Sequence, residues 1–161
     1  MEYDVKQMDR EHGVLISKWI YEEPFSIYSM DGSEECLNEL LHGFYFMVND
    51  EDKNLIGYLC FGASARVPAG NLFEVYNDKD CMDIGLGINP ALCGQGLGKN
   101  FMSCGLDYAR RFLAAKRFRL TVASFNTRAV KVYESVGFRK ITSFVRKSDG
   151  GEVEFWVMTL N

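Results

Sequence analysis

The sequence predicts an α+β fold, with α and β segments mixed along the chain. It is expected to be one domain, residues 1–161, built on a mixed, mostly antiparallel sheet of six to seven strands flanked by about four helices. Three observations predict it. Short runs rich in aromatic and branched residues, several alternating with period two, recur along the whole chain. Two amphipathic helical patterns, at 97–113 and 127–136, interleave with those runs in the C-terminal half. The 161 residues, 47% apolar and 25% charged, suit a single soluble core.

The elements follow in order. Residues 3–8 read as a short strand, and 10–20 carry Val14, Leu15, Ile16, Trp19 and Ile20 at roughly helical spacing. Glu22-Glu23-Pro24 breaks that helix and leads into the aromatic loop 25–30. Ser33, followed by Glu34 and Glu35, starts a second helix to about Leu41. Residues 43–49 and 54–62 are strands joined by the acidic turn Asp50 to Lys53. The connection 63–80 contains Pro68, Gly70 and Asn77 and is expected to be irregular; long connections of this kind are often functional. A strand follows from Asp83, then a helix of about five turns whose apolar stripe runs from Leu97 to Leu113. Residues 118–124 form a strand and 127–136 a helix that Gly137 stops. Finally 138–147 and 152–160 alternate as two antiparallel strands around a Ser-Asp-Gly-Gly turn.

Composition excludes several classes. No apolar run reaches 18 residues, so no membrane association is expected. The first ten residues lack the pattern of a secretory signal. Cys36, Cys60, Cys81, Cys93 and Cys104 are scattered without a CxxC pair, which argues against a disulfide scaffold or a metal site and fits a reducing cytoplasm. Charge is uneven: residues 1–98 hold 6 basic and 17 acidic side chains, whereas 99–147 hold 12 basic and 2 acidic. A phosphate-bearing partner suits the basic segment and a cationic one the acidic half, unless the two faces simply pair. The basic residues are spread over several elements rather than clustered, so no nucleic acid partner is expected. The aromatic content leaves a homodimer open.

The stretch from Asp83 to Lys99 draws attention. Asp83, Gly85 and Gly87 alternate with Ile84, Leu86 and Ile88, so one strand face is apolar and the other nearly bare. Glycine inside a strand marks a close approach by a ligand or by other parts of the chain. Gly94, Gly96 and Gly98 then precede a helix whose first acid is Asp107, with Lys99 in its first turn. A cation there opposes the helix dipole, an arrangement that makes sense if free N–H groups hold a phosphate. The spacing is neither a P-loop nor a dinucleotide fingerprint, since Cys93 sits where GxxxxGKS/T needs glycine and the glycines read GxGxG.

These residues resemble the GNAT family of N-acetyltransferases. Leu86-Gly87-Ile88-Asn89-Pro90 matches its Leu-x-Val-x-Pro strand, and Gly96-Leu97-Gly98 the core of its glycine-rich helix start. Asn126, Ala129, Tyr133, Glu134, Gly137 and Phe138 match its downstream helix. The resemblance implies a sheet splayed in the middle and the co-substrate acetyl-CoA. Leu86, Gly87 and Ile88 would pair with the pantetheine arm. The amides of Gly94, Gln95, Gly96, Leu97, Gly98 and Lys99 would hold the pyrophosphate, and Asn126 would contact the arm. Tyr133 resembles the family's general acid, a phenol able to protonate a departing thiolate.

Two departures stand out. Cys93 replaces the usual Gln or Arg, and Thr121 stands on the strand where some members carry a base Glu. Asp83 is then the expected base, acting through water. Glu22, Glu23 and Glu74 are candidates to attract a cationic acceptor. The expectation is therefore transfer of acetyl to a primary amine of a small molecule or peptide by direct attack. The alternative is a catalytically weak CoA-binding sensor or a protein-interaction module.

Overall fold

A computed structural model describes residues 2–161. Seven strands form a mixed sheet in the order β1-β2-β3-β4-β5-β7-β6. Four α-helices, α1 to α4, occur among the described residues. The chain divides into two compact units, one holding residues up to Cys60 together with Leu86–Leu97, the other Phe61–Gly85 with Gly98–Asn161. β4 (Cys81–Ile88) contributes to both.

In the first unit β1 (Asp4–Gln7) pairs antiparallel with β2 (Tyr45–Asn49), and β2 with β3 (Leu55–Phe61), with a bulge at Val48/Asn49. Two helices, α1 (Arg10–Ser17) and α2 (Glu34–His42), lie against each other. Their close approach uses Gly13, where a Cβ would stand 3.2 Å from Leu37 Cδ1. Ile16, Leu37, Leu40, Val48, Ile56 and Leu59 are buried. α1 is shorter than its pattern predicts. At Lys18 the backbone leaves the helix, and the Lys18 and Trp19 N–H groups bond back to Leu15 and Ile16 carbonyls. Trp19 is thereby freed from the helix face.

Asp9 caps α1, its Oδ1 accepting from the His12 N–H at 2.8 Å, and that backbone bond is the main cause holding its carboxyl below the ordinary value of 3.8. A depressed carboxyl stabilises the fold fully above its ordinary value and loses that contribution as pH falls through the lower folded one. Asp9→Ala should therefore cost about 1 kcal/mol at neutral pH, a difference that fades below about pH 4. Chemical denaturation at pH 7 and pH 3 checks both halves of that statement.

In the second unit the first residues of β4 pair in parallel with β5 (Arg117–Ala123), and β5 pairs antiparallel with β7 (Gly151–Leu160). β6 (Arg139–Ser148) forms a hairpin with β7 around Asp149-Gly150. The expected hairpin is present. The insertion of β7 between β5 and β6 is a non-local pairing that periodicity does not reveal. α3 (Gly98–Phe112) packs on the β5 face that carries Phe118, Leu120 and Val122, with Phe101, Met102, Leu106 and Ala109 buried, and α4 (Thr127–Ser135) meets α3 where Val132 lies against Gly98. The α3 stripe stops short of its predicted length, since Phe112 is exposed and lies against Tyr108. Gly137, at φ 109°, ends α4 as expected. Residues 62–76 cross the opposite face of β5 in two 3-10 turns, Gly62–Ala65 and Pro68–Phe73.

Candidate active site

The parallel ladder between β4 and β5 is short. It pairs Cys81–Asp83 with Arg117–Arg119, although β4 runs on to Ile88 and β5 to Ala123. Both strands therefore continue for several residues beyond the last paired position, Asp83 opposite Arg119. Backbone N–H and C=O groups must find partners somewhere, and those of β4 and β5 past this position are not used by this ladder.

Within the first unit, the bare strand face at Gly87 is explained by the protein itself. A Cβ there would lie 2.2 Å from Tyr58 Cε2, so the Tyr58 ring fills the space. The expectation that a ligand arm keeps this face free of side chains is corrected at Gly87. Tyr58 in turn touches Trp19 and Tyr45, with ring centroids 6.2 and 5.7 Å away. Gly87→Ala should cost about 1–3 kcal/mol by overpacking, and much less in a Tyr58→Ala background. Thermal melts of the four variants of that cycle measure the difference.

The end of β4 is pinned from several sides. The Tyr21 hydroxyl donates to the Ile88 carbonyl at 2.7 Å, and burial pushes that phenol well up, so it stays a donor. Asn89 donates its backbone N–H to the Ile56 carbonyl at 2.8 Å and its Nδ2 to the Leu55 carbonyl at 3.2 Å. Its Oδ1 accepts from the Ala91 N–H, which sets the 3-10 turn Pro90–Leu92. A cavity of about 630 Å³, lined by Trp19, Leu55, Ile56, Asn89 and Leu92 among others, opens beside this turn.

The three glycines that follow differ in purpose. Gly94 and Gly96 have φ of 79° and 76°, a region that side chains resist. A Cβ on Gly96 would meet nothing within 4 Å, so conformation alone demands glycine there and the space above it is open. Gly98 sits where a Cβ would come 3.3 Å from Val132 Cγ2, and its bareness lets α3 approach α4. Gly94, Gln95, Gly96 and Lys99 are exposed, and no acidic side chain stands in the first turn of α3. An exposed, acid-free helix start of this kind is where backbone N–H groups can hold an anion. The exposed Cys93 thiol lies 3.7 Å from the Ile88 and Asn89 carbonyls.

In the second unit Asn126 caps α4, its Oδ1 accepting from the Ala129 N–H at 3.3 Å. Two turns later Tyr133 is half-buried, edge-on to Phe138 at 6.2 Å. Asp83 and Arg119 are each 1% exposed. Arg119 donates Nε to Asp83 Oδ1 and Nη2 to Oδ2, both at 2.7 Å, and Arg66 Nε reaches Oδ2 at 2.8 Å. The hydrogen bonds that it donates to the Asp83 carboxylate hold the Arg119 guanidinium above its ordinary value. The expectation of Asp83 as base meets a buried carboxylate whose two oxygens already serve two guanidiniums. Its geometry is that of an anchor.

Thr121, on the strand where a base Glu is expected in some relatives, shares a 2.7 Å bond with the Tyr76 hydroxyl. That hydroxyl also accepts from the Val67 N–H at 3.0 Å. Burial pushes the Tyr76 phenol up. Sequence reasoning missed Tyr58, Arg66, Tyr76 and Arg119. The one available signal was Arg119 itself, a cation between Phe118 and Leu120 in a strand otherwise bound for the core. Among the described residues no group of three His, Cys, Asp or Glu side chains is placed to hold a metal, and no helix is long and apolar enough to cross a membrane.

The sequence matches the Acetyltransferase (GNAT) family over residues 14–138, and the chain belongs to that family. It is 31% identical over 127 residues to a spermidine N(1)-acetyltransferase of Vibrio cholerae, covering 77% of this chain and 65% of that protein. It is 33% identical over 103 residues to a mycothiol acetyltransferase of Salinispora tropica, covering 64% of this chain and 31% of that one. The chain thus spans less than two thirds of either relative. Among solved structures, a chimeric spermidine N-acetyltransferase from Vibrio cholerae superposes with TM-score 0.72 at 24% identity, covering 99% and 96% of the two chains. An acetyltransferase of Bacillus anthracis gives 0.74 at 15% identity, covering 99% and 95%. Both show the shared fold.

Proposed function

We propose that the protein transfers an acetyl group from acetyl-CoA to a primary amine of a small molecule, with an aliphatic polyamine as the favoured acceptor. The observation that carries this reading is the exposed, glycine-rich, acid-free start of α3 in a chain of the acetyltransferase family. The acidic balance of residues 1–98 and the spermidine N(1)-acetyltransferase relative support a cationic acceptor.

Acetyl-CoA supplies an activated acetyl thioester. Leu86, Gly87 and Ile88 offer backbone groups to its arm, and the N–H groups of Gly94 to Lys99 offer an anion cradle with the Lys99 ammonium close by. Asn126 holds the start of α4 and so fixes the helix that presents Tyr133. As the amine nitrogen bonds the acyl carbon and the carbon–sulfur bond breaks, the Tyr133 phenol would give its proton to the departing sulfur, and the proton that the nitrogen sheds would return through solvent to the phenolate. Asp83 takes no proton in this scheme, because its oxygens are engaged by Arg66 and Arg119. The acceptor reacts as the free amine, gathered by the acidic side chains of the first half of the chain.

The test is thiol release from acetyl-CoA with spermidine, an aminoglycoside, an amino acid and a peptide N-terminus as acceptors. Release with spermidine well above the other three supports the reading. CoA binding by calorimetry without thiol release for any amine would instead make the chain a CoA-binding module.

A further inference from the structure

Residues 62–76 lie as a strap over the face of β4 and β5 that carries Asp83, Arg119 and Thr121, and both ends of the strap are tied to those strands. At its start Arg66 reaches Asp83 Oδ2 at 2.8 Å. At its end Tyr76 places its ring beneath two guanidiniums, 5.5 Å from Arg66 Cζ and 5.2 Å from Arg119 Cζ. The Tyr76 hydroxyl joins the two ends, accepting from the Val67 N–H and bonding Thr121 Oγ1. Between the ties Gly70 lies so close to Tyr76 that a Cβ would stand 2.7 Å from its ring, and Phe73 stacks on Phe144 at 5.9 Å.

Arg119 alone satisfies the geometry of the Asp83 carboxylate, with two parallel bonds of 2.7 Å. The second guanidinium is therefore not needed to neutralise Asp83. It comes from the strap, its side chain is still 34% exposed, and ordering it costs rotamer freedom. A surface arginine drawn onto a buried carboxylate that already has its counter-ion makes sense as a fastening.

We propose that Asp83 is a positioning residue, the fixed point on which Arg66 and Tyr76 fasten the 62–76 strap, so that the strap forms a wall of the acceptor pocket with a set position. The proposal rests on the acetyl-transfer reading for what the wall contacts. The fastening itself does not depend on that reading.

The variants are Arg66→Met and Tyr76→Phe, which leave the Asp83–Arg119 pair intact, with Arg66→Lys as the conservative control. Arg66→Met should raise the KM for spermidine about tenfold, with kcat and the acetyl-CoA dissociation constant within about twofold of wild type, and Arg66→Lys should restore most of the loss. Limited chymotrypsin digestion gives a readout independent of turnover. Leu72 and Phe73, 85% and 53% exposed, lie in a 3-10 turn that must open to be cut, so cleavage there should speed up in Arg66→Met and Tyr76→Phe. Faster cleavage with an unchanged KM would overturn the pocket-wall role. Equal cleavage in all variants would overturn the fastening. A fall in kcat with a displaced acid limb, and no change in KM, would return Asp83 to proton transfer. Should no amine release thiol from the wild type, acetyl transfer fails, and the digestion still decides the strap.

Discussion

Tyr133→Phe is expected to lower kcat about 10²-fold or more while leaving the acetyl-CoA dissociation constant within about twofold of wild type. The substitution removes one oxygen and keeps the ring, so the edge-on contact with Phe138 at 6.2 Å survives. The backbone is undisturbed as well, because the Tyr133 carbonyl accepts from the Val136 and Phe138 N–H groups whatever the side chain. The helix that carries it starts at Asn126, whose cap is two turns away. A loss of turnover at constant affinity therefore isolates the proton that the phenol supplies to the departing sulfur. The effect should shrink with a thioester whose thiol is more acidic, since such a thiolate leaves unaided. Steady-state kinetics with two thioesters and calorimetry with CoA separate this from a change in binding. A kcat for Tyr133→Phe equal to that of the wild type would remove the acid role.

Much of the fold is legible because its signals are local. The Ser33 cap, the Gly137 stop and the period-two runs each act over a few residues, and the corresponding elements appear within a few positions of where the pattern puts them. Gly94 and Gly96 are legible for the same reason, since a left-handed backbone is a property of the residue itself. What is not legible is pairing at a distance. Gly87 is bare because of Tyr58, which lies on a different strand, and no periodicity joins them. Asp83 meets Arg119 across 36 residues and Arg66 across 17, so a strand acid that looks like a base on a bare face is a buried anchor in the fold. Gly98 looks like part of an anion cradle, yet its lack of a side chain also serves the packing of Val132. One sequence pattern thus served two physical ends.

The Asp83–Arg119 pair carries the largest expected effect on stability. Asp83→Leu leaves a guanidinium that is 1% exposed without its carboxylate, and should destabilise the fold by about 3–5 kcal/mol. Arg119→Met strands the carboxylate, but Arg66 still reaches Oδ2, so this loss should be the smaller of the two. The remaining Arg119 bond, Nη1 to the Asp78 carbonyl at 3.1 Å, cannot replace an ion pair, because a carbonyl holds no charge. Asp83→Leu with Arg119→Met removes both buried charges and restores an apolar match, so the double variant should recover most of the loss. Denaturant titrations of the four proteins give the coupling directly. Additive losses would mean that the pair is not a unit, and the strap would then have no fixed point to be fastened to. A large coupling with Arg66 retained would place the anchor in the Asp83–Arg119 pair and leave Arg66 to the strap alone.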